Sequence, residues 1–174
     1  EVLAKYFSEK KGFRDVQEET IDSLLAGKNT LCLMPTGGGK SLIYQVAGLC
    51  MEKTTIIISP LIALMNQQNA EMRVKGIATV SFSGMDYKKQ FALITDMANG
   101  VMPQYIFTSP ERISSDGYLE YALNKRRDDI GLVVVDEAHC ISQWGDGFRP
   151  AYRNIPDFLD RIFGGDGWPA TLCL

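Results

Sequence analysis

A glycine-rich segment that ends in Lys-Ser lies directly after an apolar stretch in the first quarter of the chain. The segment runs from Leu31 to Ser41 and reads Leu-Cys-Leu-Met-Pro-Thr-Gly-Gly-Gly-Lys-Ser. Glycines allow successive backbone N–H groups to point toward one anion, and the amino terminus of a following helix favours the same negative charge. The pattern therefore predicts a buried strand, a phosphate-binding loop and a helix that starts near Gly39.

The polar residues of this loop are suited to a nucleoside triphosphate. Lys40 offers a full positive charge to the β- and γ-phosphates, and Ser41 offers a hydroxyl ligand to Mg²⁺. The usual motif begins with glycine, where this chain has Met34. A flexible surface loop is the alternative, but it does not explain the apolar residues on both sides. The residues predicted to contact the nucleotide here are Thr36, Gly37, Gly38, Gly39, Lys40 and Ser41.

A second motif places two acids after an apolar run. Residues 132–135 are Leu-Val-Val-Val, and Asp136 and Glu137 follow them. Such a run is typical of a strand buried on both faces, which delivers the acids at its carboxyl end. Asp136 is predicted to bind Mg²⁺, and Glu137 to orient or deprotonate the attacking water. An acidic pair can also cap a helix, but the phosphate loop in the same chain favours catalysis by Lys40, Asp136 and Glu137.

Length and composition are those of one ordinary globular domain. The chain has 174 residues, of which 45% are hydrophobic and 22% charged, and its formal net charge is −3. This charge argues against a broad basic face for nucleic acid, so any contact with DNA must be local. The lone histidine, His139, and four cysteines without a C-x-x-C pair give no pattern of a protein-held metal site.

The same cysteine usage fits reduced thiols, and hence the cytosol or the nucleus. No apolar run is long enough to predict a membrane span or a membrane partner. The opening residues lack the pattern of a signal peptide. We therefore expect a cytoplasmic protein, at the nucleoid if the source is bacterial, or a nuclear protein if it is eukaryotic.

Stretches of strand length alternate with stretches of helix length along the whole chain. Asp15 and Glu18 form a D-x-x-E capping signal before the first long helix. The alternation predicts a three-layer α/β fold over residues 1–174, with a mostly parallel sheet flanked by helices and the ligand at the carboxyl ends of the strands. The patterns predict helices over residues 16–26, 61–75, 87–99 and 118–127, and strands over 54–58, 77–82, 104–107, 132–135 and 170–174.

Six motifs together resemble the superfamily 2 helicases, and within them the RecQ-type DNA helicases. The similarity covers essentially the whole chain. The most discriminating stretch is similar to the aromatic-rich loop of RecQ proteins, Cys-Ile-Ser-Gln-Trp-Gly at residues 140–145 followed by Phe-Arg-Pro at 148–150. The other motifs are Gly-Phe-Arg-x-x-Gln at 12–17, the phosphate loop at 34–41, Ser-Pro-Leu-Ile-Ala-Leu-Met at 59–65, Thr-Ser-Pro-Glu-Arg at 108–112 and Asp-Glu-Ala-His at 136–139.

For the nucleotide, the resemblance implies a P-loop NTPase domain of the RecA-like type that takes ATP and Mg²⁺. Gln17 would read the adenine edge, because an amide both donates and accepts hydrogen bonds. Arg14 would help to hold the base or its sugar-phosphate. Lys40, Ser41 and Asp136 would keep the roles argued from their chemistry, with Ser41 and Asp136 as Mg²⁺ ligands.

For DNA, the resemblance implies stacking of single-stranded bases on Trp144 and Phe148, although core filling is the alternative for both. One departure from the family pattern lies between them, where Asp146 and Gly147 replace the usual His followed by Asp or Asn. Ser59 and Ser109 are also compatible with plain helix N-termini. The remaining implied roles are a phosphate contact for Arg149, backbone contacts for Ser59, Ser109 and Arg112, and a relay between the nucleotide and the aromatic loop for His139.

The function that the resemblance implies is the amino-terminal ATP-binding motor domain of an ATP-dependent 3′–5′ DNA helicase, acting in replication, recombination and repair. Its partners would be single-stranded DNA, duplex junctions and a second RecA-like domain that this chain does not contain. We expect the isolated fragment to be nearly inactive. Two alternatives remain: an RNA helicase or RNA-remodelling ATPase, and a nucleotide-gated DNA-binding scaffold that does not unwind.

Overall fold

A single parallel sheet organises the chain. The computed structural model describes residues 1–35, 37–141, 149–165 and 167–174. Within these residues six strands pair in the order β1-β6-β5-β2-β4-β3, and every pair is parallel. The strands are β1 (Thr30–Leu31), β2 (Thr54–Ile58), β3 (Thr79–Ser81), β4 (Tyr105–Thr108), β5 (Ile130–Val135) and β6 (Ala170–Cys173).

Helices connect successive strands and cover the sheet. Short 3₁₀ turns are found at Arg127–Asp129, Ala138–Ile141 and Pro150–Asn154. The α-helices of the described residues are α1 (Val2–Tyr6), α2 (Asp15–Leu25), α3 (Lys40–Met51), α4 (Ile62–Val74), α5 (Tyr87–Ala98), α6 (Pro110–Ile113), α7 (Gly117–Lys125) and α8 (Ile155–Phe163).

The side chains of the central strands alternate between two apolar clusters. In β2, Ile57 lies in the cluster formed with α1 to α4, while Ile56 and Ile58 lie in the cluster formed with α5 to α8. Successive side chains of a strand point to opposite faces, so a strand covered on both sides is apolar throughout. The predicted three-layer α/β fold is therefore confirmed.

The strand before the phosphate loop differs from its prediction. Only Thr30–Leu31 forms a strand, and it pairs with β6 alone at the edge of the sheet. Leu31 is 66% exposed and Leu33 is 82% exposed. The prediction of a buried strand here is wrong, because an edge strand has a neighbour on one side only and no described helix covers these leucines.

Two helices also differ from the sequence patterns. The first residue of α2 is Asp15, and Arg14 rather than Asp15 is the N-cap residue. The Gln17 side chain accepts from the Arg14 backbone N–H at 2.8 Å, and thereby takes the role expected of Glu18. Helix α8 was not predicted, although its buried residues follow the i, i+3, i+4, i+7 spacing of a helix face.

The topology gathers the predicted polar residues at one edge of the sheet. The phosphate loop follows β1, the acids follow β5, and Ser59 follows β2 at its carboxyl end. Ligands of open parallel sheets bind at this edge. Separately, none of the helices in the described residues is both long and apolar enough to span a membrane.

Candidate active site

The phosphate loop has the backbone conformation that its glycines were predicted to allow. Gly37 and Gly39 have φ values of 77° and 88°, in the left-handed region that favours glycine. The Gly38 N–H donates to the Pro35 carbonyl at 2.9 Å, and α3 begins at Lys40 as predicted. The loop therefore curls into the first turn of α3. Thr36 lies outside the described residues.

Gln17 fastens the amino terminus of α2 to this loop. Its amide nitrogen donates to the Gly39 carbonyl at 3.0 Å, and its amide oxygen accepts from Arg14. A Cβ atom at position 39 would lie only 2.4 Å from that nitrogen, so a larger residue there would displace the Gln17 amide. Arg14 adds a long contact of 3.5 Å to the Gly38 carbonyl. The two residues predicted to hold the base thus lie against the loop that is predicted to hold the phosphates.

A cavity of about 260 Å³ opens beside Gln17 and the loop. It is also lined by Phe7, Met72 and Lys75, which the sequence patterns did not single out. The Lys75 ammonium donates to the Tyr6 carbonyl at 2.6 Å and lies 4.7 Å from the centre of the Phe7 ring. Lys75 is therefore held in place at this cavity by a hydrogen bond and a ring contact.

The predicted acids lie at the carboxyl end of β5. The Asp136 backbone N–H donates to the Ile58 carbonyl at 2.9 Å, which continues the ladder between β5 and β2. The carboxylate accepts from the Ser59 hydroxyl at 3.0 Å and from the Glu137 N–H at 3.1 Å. Burial raises the pKa of Asp136, the Ser59 hydrogen bond opposes that rise, and Lys40 also lowers the pKa. The charge of Lys40 is the smallest of these influences, and both residues lie at the carboxyl edge of the sheet.

Glu137 has a left-handed backbone with φ of 55°. Such a conformation costs a residue other than glycine about 1–3 kcal/mol and persists only where its surroundings enforce it. The Ala138 N–H donates to the Leu174 carbonyl at 2.8 Å, and the Tyr152 hydroxyl donates to the Asp136 carbonyl at 2.6 Å. These bonds fix the chain on both sides of Glu137, whose carboxylate lies 3.4 Å from the His139 imidazole.

Tyr152 is a site residue that sequence reasoning missed. It is fully buried, and burial raises the pKa of its hydroxyl, so the hydroxyl stays protonated as the donor to Asp136. It belongs to a 3₁₀ turn whose side chains follow neither a strand nor a helix period. The one sequence signal for Tyr152 is that it lies shortly after Arg149, which belongs to the motif at residues 148–150.

The side chains predicted to contact DNA mostly have partners within the protein. Ser109 caps α6 by accepting from the Arg112 N–H at 3.2 Å. The Arg112 guanidinium pairs with Asp116 at 2.5 Å, and Arg149 lies 3.5 Å from Glu111. Ser59 is buried against the Asp136 carboxylate. Trp144 and Phe148 lie outside the described residues, and the DNA contacts of all six residues stay predictions.

A larger cavity of about 1020 Å³ lies at the carboxyl ends of β3 and β4. Ser109 and Arg112 line it, together with the exposed side chains of Tyr87, Tyr118 and Tyr121. β3 is the outermost strand on one side of the sheet, and β1, which precedes the phosphate loop, is the outermost strand on the other side. The cavity and the loop therefore lie toward opposite sides of the sheet. Ser109 and Arg112, which are predicted for DNA, therefore lie apart from the phosphate loop along one carboxyl edge. Ser59, also predicted for DNA, lies instead beside Asp136.

The donor set of the site fits Mg²⁺ held jointly with phosphates. Mg²⁺ is usually bound through one or two carboxylates plus substrate phosphates and water, rather than by a cage of protein ligands. Asp136 and Ser41 provide oxygen atoms at the carboxyl edge that can ligate Mg²⁺. Lys40 supplies a positive charge for the phosphates. Among residues 1–35, 37–141, 149–165 and 167–174 no group of three or more His, Cys, Asp or Glu could hold a metal.

Asp136→Asn is expected to stabilise the nucleotide-free chain at neutral pH. Because burial raises the pKa of Asp136 above its unfolded value, the folded state binds the proton more tightly. The stability of the folded state therefore falls as pH rises from the pKa of Asp136 in the unfolded chain to its pKa in the folded chain. At neutral pH the ionised carboxylate destabilises the folded state. Urea unfolding of both proteins across this range measures the effect. The difference should shrink as pH falls, and a less stable variant at neutral pH would contradict the expectation.

Known proteins resemble the chain in sequence over most of its length. A profile of the DEAD/DEAH box helicase family matches residues 14–168. The ATP-dependent DNA helicase RecQ of Bacillus subtilis (strain 168) is 42% identical over 158 residues, which are 88% of this chain and 26% of that protein. The ATP-dependent helicase wrn-1 of Caenorhabditis elegans is 37% identical over 159 residues, which are 91% of this chain and 15% of that protein. The chain thus spans less than a third of the length of either relative.

A solved structure resembles the fold over nearly the whole chain. It is the crystal structure of the DUF1998 helicase MrfA bound to DNA and AMPPNP, with a TM-score of 0.69 and 15% identity. The similarity covers 99% of this chain and 25% of that one. Likeness at such low identity concerns the fold alone.

Proposed function

The chain belongs to the DEAD/DEAH box helicase family, and we propose that it is the ATP-binding motor domain of a RecQ-type, ATP-dependent 3′–5′ DNA helicase. The proposal includes Mg²⁺ as the cofactor, single-stranded DNA and duplex junctions as partners, and replication, recombination and repair as the processes served. Both sequence relatives described above carry helicase names, which supports the proposal.

One observation carries the nucleotide half of the proposal. The glycine loop with Lys40 follows β1, and the acids Asp136 and Glu137 follow β5, so both groups lie at the carboxyl edge of one parallel sheet. A phosphate grip and a carboxylate pair at one edge are the parts that hydrolysis of a nucleoside triphosphate requires. The cavity beside Gln17 leaves room for a base next to that grip.

Each residue then has a task in hydrolysis. Lys40 and the loop N–H groups bind the β- and γ-phosphates and stabilise the charge that develops there. Asp136 and Ser41 would hold Mg²⁺, which neutralises phosphate charge when bound. Glu137 orients the attacking water and accepts its proton. The bonds of Ala138 and Tyr152 keep Glu137 in place while it does so.

The DNA half of the proposal depends on the other part of the carboxyl edge. Ser109 and Arg112 lie there beside three exposed tyrosines, and base–aromatic stacking contributes about 1–3 kcal/mol per base. A net charge of −3 and the pairing of Arg112 with Asp116 leave little positive charge for a long phosphate track. We therefore propose a short contact with single-stranded DNA, shared with the rest of the protein.

The chain spans 26% of the Bacillus subtilis RecQ protein that it matches, and we expect little activity from these residues alone. A second RecA-like domain would close over ATP and supply an arginine, and such an arginine contributes about 10³–10⁵ to the rate in comparable NTPases. Hydrolysis and unwinding are therefore tested in the full-length protein.

The test compares ATP hydrolysis by the full-length protein with single-stranded DNA, with RNA and without nucleic acid, followed by strand separation on a duplex with a 3′ overhang. We expect hydrolysis that DNA stimulates, and unwinding that requires ATP and Mg²⁺. Stimulation by RNA alone would replace the proposal with an RNA helicase. Stimulation by DNA without strand separation would instead favour a nucleotide-gated scaffold.

A further inference from the structure

Ser59 lies where the sequence gives no reason to expect a nucleotide-site residue. It follows β2, which neighbours β5 in the sheet, and it is only 2% exposed. A side chain this buried is poorly placed to contact a DNA backbone. Its hydroxyl instead donates to the Asp136 carboxylate at 3.0 Å, across 77 residues of sequence.

This bond and one other fix both oxygens of the Asp136 carboxylate. Ser59 donates to Oδ2, and the Glu137 N–H donates to Oδ1 at 3.1 Å. A carboxylate has about four lone-pair sites, so each oxygen keeps a free site for a cation. Without the Ser59 bond the carboxylate could rotate about its Cβ–Cγ bond, and only the hydrogen bond from the Glu137 N–H would oppose that rotation.

Mg²⁺ is sensitive to such rotation. It requires near-ideal octahedral geometry, so a ligand that turns away loses more affinity for Mg²⁺ than for larger and more tolerant cations. Hydrogen-bond partners of metal ligands fix ligand orientation, and replacing them typically lowers metal affinity or activity 10–100-fold. The Ser59 hydroxyl is in the position of such a partner.

We propose that Ser59 is a positioning residue for Asp136, holding the carboxylate in the orientation that takes Mg²⁺ together with the nucleotide. The inference depends on the proposed function, because it assumes that Asp136 serves a nucleotide-bound Mg²⁺. It assigns Ser59 a role in the nucleotide site instead of the DNA contact that its motif implies.

A purely structural role for Ser59 is the competing explanation. Its oxygen also accepts from the Leu61 N–H at 3.3 Å, which closes the turn that leads into α4. A serine that only closes this turn would change the stability of the protein and leave its Mg²⁺ requirement untouched.

The chain provides a closely matched control in Ser81. This serine is also buried at the end of a strand and donates to a side-chain oxygen, that of Asn66, at 3.0 Å. It likewise accepts from the N–H two residues later, Ser83, at 3.5 Å. It differs from Ser59 in lying on β3, the edge strand opposite to the phosphate loop.

The experiment titrates Mg²⁺ into the full-length protein with a fluorescent, non-hydrolysable ATP analogue, and measures the Mg²⁺ concentration at half-maximal binding. For Ser59→Ala we expect this concentration to rise about 10-fold or more. Ser59→Thr keeps the hydroxyl and should restore a value close to wild type. Thermal unfolding without nucleotide reports whether each variant is folded.

Ser81→Ala should bind with the wild-type Mg²⁺ requirement, even where it melts earlier. An unchanged requirement in folded Ser59→Ala overturns the inference and leaves the proposed function standing. An equal rise in Ser59→Ala and Ser81→Ala also overturns it, since both would then reflect a general loss of packing. If the wild-type protein binds no Mg²⁺–nucleotide, the proposed function itself fails.

Discussion

Replacing Glu137 with glutamine is expected to lower ATP hydrolysis by the full-length protein about 10²–10⁴-fold, the usual contribution of a general base. Glutamine has the same shape but cannot take a proton from water at neutral pH. The bonds that fix the backbone around residue 137 come from Ala138 and Tyr152 and survive the change. Steady-state hydrolysis and binding of an ATP analogue measure the effect, and binding should stay close to wild type.

Glu120→Gln is the matched control for this change. Glu120 is also half-buried and paired with a basic side chain, Arg161, at 2.9 Å, but it lies in α7 away from the loop. Hydrolysis by this control should stay near wild type. If Glu137→Gln hydrolyses ATP at the wild-type rate, Glu137 is not the general base. Loss of nucleotide binding together with hydrolysis would instead indicate a structural role.

Lys40→Ala is expected to weaken binding of Mg²⁺–ATP and to lower hydrolysis about 10²–10³-fold, the effect of removing one charge-stabilising donor from a preorganised site. Lys40 is the first residue of α3, directly after the left-handed Gly39. The charge of Lys40 lowers the pKa of Asp136, so its loss should raise that pKa further. Isothermal titration with an ATP analogue and steady-state hydrolysis measure the two effects.

Lys28→Ala serves as the control, because Lys28 is an exposed lysine in the loop between α2 and β1. This variant removes the same charge from the whole protein, and both binding and hydrolysis should be unchanged. If the two variants lose binding equally, the effect comes from net charge rather than from the site. Full hydrolysis by Lys40→Ala would mean that the glycine loop does not hold the triphosphate.

The parts of the fold that the sequence predicts depend on local patterns. The run Leu-Val-Val-Val before Asp136 has the apolar character of a strand buried on both faces, and β5 is such a strand. Gly39 with Lys40 indicates a left-handed residue before a helix, and the structure has both. These features depend on neighbours within a few residues, so a single sequence contains enough to predict them.

The missed parts depend on neighbours that are distant in sequence. Leu31 and Leu33 are apolar enough for a buried strand, but the position of β1 at the edge of the sheet leaves them exposed. Helix α8 is a different case, because local spacing is enough to predict it. Its buried residues Ile155, Phe158, Leu159 and Ile162 have the spacing of a helix face.

The candidate site divides in the same way. Its chemical groups were predictable, because a lysine after three glycines indicates a phosphate-binding loop and two acids after an apolar strand indicate a cation site. Both patterns are local in the sequence. The orientation of these groups was not predictable, because it depends on Ser59 reaching Asp136 across 77 residues and on a buried tyrosine, Tyr152, in a turn without a period.

The alternation of strands and helices, the glycine loop and the types of group that meet at the carboxyl edge follow from side-chain chemistry and local backbone preference, so the amino-acid sequence is enough to predict them. The folded chain was needed to show which strand lies at the side of the sheet, which side chains hold the Asp136 carboxylate, and what fixes Glu137 in a left-handed conformation. Strand order and side-chain hydrogen bonds join residues far apart in the chain, where no periodic pattern connects them.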